Sequence, residues 1–300
     1  MKNKFKFFGM LLLGGLIFGS LALTSCKDDD PDPDPNAGKT DPSTIAATNL
    51  IAYFDFESQP AAGVAVPFTN NTITFGQKVG ASSFVVGRRG NALKGSSSEA
   101  YLEYNITGNT ALKTLSEFTL ACWIKSPATT GGAAKIFAIN GGDDFMGNLT
   151  LMQESQPEGD SLDMKLYLFD SESVWKGQDI RAQRKEFAGD LWFHMVGIYR
   201  METSTIELWA NGVKVAESVR YSDGDPDGEG PLPQPLLGPI KLGQNMTKIH
   251  FGAWPQQIDG TGADWMNYYN GMVDEFRIYN KALTEVEIKA LYDAEITWIN

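Results

Sequence analysis

In Ile206-Glu207-Leu208-Trp209-Ala210-Asn211-Gly212-Val213-Lys214-Val215-Ala216 two apolar-rich runs meet at an Asn-Gly pair. Residues 206–210 and 213–216 read as strands, and Asn211-Gly212 between them accommodates positive φ at both central positions. A two-residue hairpin follows, because such mirror-image turns match the right-handed twist of paired strands. Outward from this hairpin the same grammar recurs in both directions. Short apolar or alternating runs, punctuated by Gly, Asn, Asp and Pro, fall at 50–57, 100–105, 118–125, 135–139, 149–153 and 162–169. They continue at 192–200, 205–210, 213–217, 240–242 and 272–279. No helical spacing separates them, so the pattern predicts an all-β sandwich rather than alternating β-α units. One helix is predicted near the C-terminus. Thr284 and Glu287 make a capping box, Ile288, Leu291 and Tyr292 line one face, and Leu283 is placed as a hydrophobic staple. This helix is expected to close one end of the sandwich. Residues 58–77, 221–239 and 246–270 read as long loops, which in a compact domain are usually functional.

The N-terminal residues set the expected compartment. Lys2, Lys4 and Lys6 precede an apolar run over residues 7–23 that is broken by Gly9, Gly14, Gly15 and Gly19. The run ends in Leu23-Thr24-Ser25-Cys26, which resembles a bacterial lipobox. Residues 1–25 are therefore expected to be a lipoprotein signal peptide, with Cys26 lipidated at its thiol and new amino group. That much acylation exceeds the two-signal threshold for stable membrane anchoring. The alternative is an ordinary secretory signal with a stray cysteine. Residues 26–47 form the expected tether, opening with Lys27-Asp28-Asp29-Asp30 and then Pro31-Asp32-Pro33-Asp34-Pro35. Proline fixes φ and removes donors, and like charges repel, so no core forms there. The acidic cluster resembles the surface-export signal of lipoproteins from glycan-foraging Gram-negative bacteria. That resemblance implies an outer-membrane location facing the cell exterior; the alternative is a spacer in the periplasm.

Loss of residues 1–25 would remove three lysines and no acids, taking the formal net charge from −12 to about −15. A surface this acidic repels phosphate backbones, which argues against nucleic acid as a partner and leaves neutral polymers compatible. The other cysteine, Cys122, lies in an apolar strand, so with Cys26 lipidated no intramolecular disulfide is available. The fold over residues 48–300 is expected to rest on a single large core, which a length of about 250 residues readily supplies.

Five pieces in order carry a family resemblance. They are residues 50–57 (Leu-Ile-Ala-Tyr-Phe-Asp-Phe-Glu), residues 87–93 followed by 101–104, residues 118–125, residues 192–196 running into 208–212, and residues 271–284. Together they resemble the laminin-G-like branch of the concanavalin A-like lectin/glucanase superfamily. The resemblance implies a jelly roll of two antiparallel sheets whose concave face and rim loops often bind glycans. It also implies one structural calcium ion linking Glu57 to Asp274; the alternative is that Asp274 binds loop amides without a metal. Fold does not fix function, and the superfamily includes lectins, adhesion modules and enzymes.

For catalysis, the glucanase pattern Glu-x-Asp-x-x-Glu is missing from the sequence. Asp274 and Glu275 are adjacent and on a regular strand would point to opposite faces. Carboxylates from separate strands remain open to a glycoside hydrolase or lyase, and a protein-binding adhesion module is a further alternative. His194 is expected to be a packing residue. His250 precedes an aromatic loop, where either ligand contact or solvation is open. Trp123, Trp192 and Trp209 match strand positions and are assigned to packing. Trp175, Trp254 and Trp265 do not, and Trp254 and Trp265 share a loop with Asp264 and Tyr268. Aromatic faces stack on the C–H patches of sugar rings while carboxylates hold hydroxyls. These five residues are the expected ligand site, for an extracellular polysaccharide or oligosaccharide captured for a degradation or import complex. The alternative is that the loop folds over its own aromatics as a satellite core.

Overall fold

The computed structural model describes residues 36–65, 72–127, 131–142, 144–154, 161–171, 177–223, 234–235 and 238–297. The expected signal peptide, Cys26 and most of the expected tether lie outside them, as does Trp175. The strands are β1 (Leu50–Phe54), β2 (Thr74–Gly80), β3 (Ser83–Val86), β4 (Asn91–Lys94), β5 (Ala100–Asn105) and β6 (Phe118–Lys125). They continue with β7 (Ala133–Asn140), β8 (Leu149–Glu154), β9 (Leu162–Phe169), β10 (Gly177–Arg184), β11 (Trp192–Arg200) and β12 (Thr205–Ala210). The last are β13 (Val213–Val219), β14 (Tyr221–Asp223), β15 (Gln234–Pro235), β16 (Lys248–Phe251), β17 (Met266–Asn267) and β18 (Met272–Tyr279). Among the described residues there are also three α-helices, α1 (Thr110–Lys113), α2 (Pro255–Ile258) and α3 (Glu285–Thr297), and 3-10 turns at Pro42–Thr44, Ala47–Asn49 and Lys185–Phe187.

Two eight-stranded sheets form the jelly-roll sandwich. Sheet I runs β13-β12-β11-β6-β18-β4-β3, with β1 also on β18; sheet II runs β10-β9-β8-β7-β16-β5-β2, with β17 also on β7. Pairing is antiparallel except for β17, which lies parallel to β7. The hairpin that opened the sequence reading closes as expected: Asn211 and Gly212 have φ of 49° and 77°, and Ala210 pairs with Val213. Between the sheets, alternate residues of every long strand meet in one core. At its centre the Phe251 ring of sheet II lies 5.0–5.4 Å from the rings of Phe54, Phe56, Phe276 and Phe137. Edge-to-face contacts of this kind add to the area each ring buries.

Strand β18 changes partner halfway. Met272 and Val273 pair with β4, and Phe276 to Tyr279 pair with β1, while β6 runs along the opposite edge. The change happens at a bulge in the β6–β18 ladder between Asp274 and Arg277, where Glu275 takes a left-handed φ of 51°. The bulge breaks the alternation assumed for adjacent carboxylates. Both Asp274 and Glu275 are buried.

The C-terminal helix is capped as expected. The Thr284 amide donates to Glu287 Oε2 at 2.8 Å and the Glu287 amide to Thr284 Oγ1 at 3.3 Å. Leu283 and Ile288 fall in one buried cluster, the staple geometry. The helix does not close an end of the sandwich, however. Leu283, Ile288 and Leu291 pack on Ala121, Val196, Ile198, Trp209 and Tyr279, the outer face of sheet I. Those outward positions are apolar, and an uncovered apolar sheet face needs a second layer. Beneath the helix lies a charged row: Arg277 pairs with Glu275 at 2.6 Å and with Glu295 of α3, and Trp123 Nε1 donates to Glu295 at 2.8 Å. His194 is fully buried against Trp123, and burial, with the Arg277 charge, pushes its imidazole down to about 3. It is therefore neutral and packed, as the sequence predicts.

Several element assignments need correction; one is the 221–239 stretch, read as a loop, which contains the paired strands β14 and β15. The 246–270 stretch is not all loop, because β16 lies inside it and sits between β7 and β5 at the centre of sheet II. The 58–77 stretch contains the start of β2. Residues 240–242 join neither sheet; Ile240 and Leu242 are buried, the Ile240 amide donates to the Ser116 carbonyl, and the Lys241 carbonyl accepts from the Ser171 amide.

Removing one partner from a buried ion pair leaves an uncompensated charge. Glu295→Ala is expected to lower the unfolding free energy by about 3 kcal/mol in urea titration. Lys289→Ala, at an exposed pair with Asp293 on the same helix, should change it by less than about 1 kcal/mol.

Candidate functional site

The outer face of sheet II carries the polar groups. Along β5, Leu102 and Tyr104 enter the core, so Tyr101, Glu103 and Asn105 face outward. Along β16, Ile249 and Phe251 enter it and leave Lys248 and His250 outward. Register places His250 opposite Glu103 on one side and Ala138 on the other. His250 Nε2 lies 3.1 Å from Glu103 Oε2 and Nδ1 lies 2.8 Å from Asn140 Nδ2. Lys248 Nζ donates to Glu103 Oε1 and to Asn105 Oδ1, both at 2.6 Å. The His250 hydrogen bond, followed by that of Lys248, pulls the Glu103 carboxyl down to about 2. At neutral pH this carboxylate accepts hydrogen bonds and holds no proton to deliver. His250, read from sequence as a loop residue, is a strand residue with 5 % of its surface exposed.

The aromatic loop folds over β7 and β8 on this same face. Trp254 is fully buried, its Nε1 donating to the Ala133 carbonyl at 2.9 Å, and it clusters with Ala133, Met152 and Met266. It is thus the centre of the satellite core that was the alternative reading, and presents no free face. Trp265 stands edge-on to it at 5.1 Å and is 46 % exposed. Phe145, from the β7–β8 connection, lies 6.2 Å from Trp265 and is 51 % exposed. The structure therefore brings Trp254 and Trp265 together and adds Phe145, which the sequence reading missed. Asp264 is exposed. Tyr268 is partly buried, and burial, with the Glu99 charge, pushes its phenol up.

Under Trp254 lies Lys135, fully buried, with its ammonium 4.4 Å from the ring centroid and donating to the Met146 carbonyl at 2.7 Å. Burial pulls it down to about 7, against the Asp144 charge. Asp144 in turn accepts from the Met146 amide and from Tyr167 Oη, both at 2.7 Å. One lysine and one aspartate thus hold the segment that carries Phe145.

Glu57 and Asp274, the expected calcium ligands, grip one loop from two sides. Asp274 Oδ2 accepts the amides of Arg88 and Arg89 at 2.8 and 2.9 Å, and Oδ1 accepts the Glu275 amide at 2.8 Å. Glu57 Oε2 accepts the Asn91 amide at 3.0 Å. Burial and the Glu275 charge push Asp274 up to about 8 while the three amides pull against them. Among the described residues, no group of three or more His, Cys, Asp or Glu gathers to hold a metal ion. The donor set implied for calcium is engaged with backbone amides.

Residues 97–238 match the Laminin_G_3 family profile, described as the concanavalin A-like lectin/glucanases superfamily. No protein of curated function matches the sequence. Among solved structures, the receptor-binding domain of botulinum neurotoxin mosaic serotype C/D is similar at a TM-score of 0.56 and 14 % identity, over 83 % of this chain and 51 % of that one. The binding domain of Paraclostridial Mosquitocidal Protein 1 is similar at a TM-score of 0.56 and 19 % identity, over 82 % and 52 %. A third is a structure of botulinum neurotoxin type C, whose cell entry is dependent upon interaction with two ganglioside molecules; TM-score 0.56, 13 % identity, 84 % and 52 % covered. The chain spans about half the length of these structures. At such identity the likeness shows the fold.

The Lys135 ammonium has a folded-state value of about 7, below the ordinary lysine value of about 10.4. Between those limits the unfolded chain binds more protons, so this group makes stability rise with pH. Lys135→Met should remove that slope: the stability difference from wild type, read by urea titration, should change steadily from pH 7 to 10. A constant difference would contradict the burial of this charge.

Proposed function

We propose that the domain is a lectin-like module that binds extracellular glycan on the outer face of sheet II without chemistry. The observation that carries this reading is the pair of exposed rings, Trp265 and Phe145, mounted on fully buried Trp254. A rigid aromatic platform offers a face to sugar C–H groups at little entropic cost, and polar groups of the same sheet face supply donors and acceptors for hydroxyls. Glycan binding by similarly folded toxin domains, as in the ganglioside interaction of the type C neurotoxin, supports it. Glu103 lacks the retained proton that a general acid needs, so it does not fit the acid's role in a hydrolase.

Isothermal titration against a panel of neutral oligosaccharides tests the site. Trp265→Ala and Phe145→Ala are each expected to weaken binding about tenfold or more, by the worth of one stacked ring. Unchanged affinity in both would overturn the assignment, and reducing-end release by wild-type protein would favour an enzyme. Repeating the titration in chelator decides on calcium: with Glu57 and Asp274 engaged by amides, affinity and melting temperature are expected to stay constant.

The same proposal places the module on the outer membrane, facing outward, anchored through Cys26 and spaced by residues 26–47. Cys26→Ser should move the protein from the membrane fraction to the soluble fraction, and protease added to whole cells should digest the wild type. Retention of the variant in the membrane would count against the anchor.

A further inference from the structure

A cleft of about 570 Å³ opens where the α1–β6 connection meets the segment before β16, lined in part by Lys113, Ser116, Ser171, Ile240, Lys241 and Gln244. Its size is that of a small-molecule site. It shares no lining residue with the Trp265 platform.

The walls are tied together by their own backbones. The Ser171 amide and hydroxyl both donate to the Lys241 carbonyl, at 2.8 and 3.1 Å, and the Ile240 amide donates to the Ser116 carbonyl at 2.8 Å. Gln244 Nε2 donates to the Lys113 carbonyl at 3.2 Å. Behind them lies a buried clasp. Arg220 and Asp170, 1 % and 0 % exposed, form an ion pair immediately before Ser171 in the chain. The same guanidinium donates to the carbonyls of Gly238 and Pro239, and Tyr199 Oη donates to Gly238 at 2.7 Å. A buried, hydrogen-bonded charge pair favours one arrangement of the groups around it, because each alternative leaves a charge unpaired. The clasp thereby ties the segment that carries Ser171 to the one that carries Pro239.

The cleft is also positive in an acidic protein. Among the described residues, its titratable lining consists of Lys113 and Lys241, whereas the whole chain carries a net −12. Among the described residues neither lysine makes an ion pair. Lys113 gives one hydrogen bond, to the Thr107 carbonyl at 3.1 Å, of the three an ammonium can donate. Two unpaired ammonium groups beside serine hydroxyls, with Leu115, Pro239 and Ile240 as apolar floor, make a receptor for a ligand that is both anionic and part apolar.

We propose that this cleft is a second binding site, selective for saccharides bearing carboxylate or sulfate groups. The anion preference rests on the two lysines; the saccharide part rests on the glycan-binding reading above. A domain built this way reads a neutral stretch of sugar with its aromatic platform and an acidic substituent with its cleft.

The test is titration of the full chain with tetragalacturonate for carboxylate, a carrageenan-derived oligosaccharide for sulfate, and a neutral cello-oligosaccharide. At least one acidic oligosaccharide should bind more tightly than the neutral one, and added salt should weaken it because the lysines are solvent-accessible. The Lys113→Gln/Lys241→Gln variant should lose about tenfold of that affinity, the worth of charged hydrogen bonds partly screened by water. Both side chains lie at the surface, so an unchanged melting temperature checks its folding. Trp265→Ala should leave acidic binding by the cleft in place. Acidic ligands that bind no better than the neutral one, or bind the lysine variant as well as wild type, overturn the proposal. Loss of acidic binding in Trp265→Ala alone would overturn the cleft and leave the platform standing. Loss in the lysine variant alone would support the cleft, whatever becomes of the platform.

Discussion

One carboxyl group, that of Asp274, stands in sheet I at the point where a strand changes partners. β18 pairs first with β4 and then with β1, which leaves a gap in the ladder at residues 274–275, beside the β3–β4 loop. Asp274 fills that gap by accepting the amides of Arg88, Arg89 and Glu275. Gly87 packs so closely that a Cβ there would stand 2.6 Å from Asp274 Oδ2, so the loop can approach only with glycine at that place. Unpaired buried backbone groups are expensive, and a short carboxylate that accepts three of them at once is a compact remedy. The bulge it stabilises also turns Glu275 toward Arg277, and from there the buried row reaches Glu295 and holds the helix.

Both sheets are covered on their outer faces, but by different means and with different consequences. Helix α3 seals sheet I with apolar side chains over a buried charge row, leaving that face closed. Sheet II is covered at one end by loop aromatics and is otherwise lined by Glu103, Lys248, His250 and Asn140. Recognition surfaces belong where polar groups are held but not sealed. This asymmetry between the faces is the reason the proposed glycan platform is placed on sheet II rather than on sheet I.

The sandwich was legible because strand runs such as 118–125 and 192–200 are apolar on both faces, as strands buried between two layers must be. β16 was not, since four residues, Lys-Ile-His-Phe, make too short a run to stand out beside the aromatics that follow. The alternation Tyr101-Leu102-Glu103-Tyr104-Asn105 was visible, and it marks the polar face in retrospect. What sequence could not decide is which tryptophan of one loop is exposed. That depends on Ala133 and Met152, more than a hundred residues earlier in the chain, which pack with Trp254 and leave Trp265 outside. Phe145 gave no signal of its own because its partner lies equally far away.

The pairing of β1 with β18 has a consequence for the order of events during folding. The first and last strands of the domain are neighbours, with Phe54 opposite Phe276, so sheet I cannot be completed until nearly the whole chain is present. Contacts of such long range are slow to form, because the intervening chain must be ordered before they stabilise anything. A growing or partly transported chain therefore holds β6 with one edge open and its apolar outer face bare of α3. Exposed edges and faces of this kind invite aggregation. During synthesis, that edge and that face are covered only once β18 and α3 have both emerged.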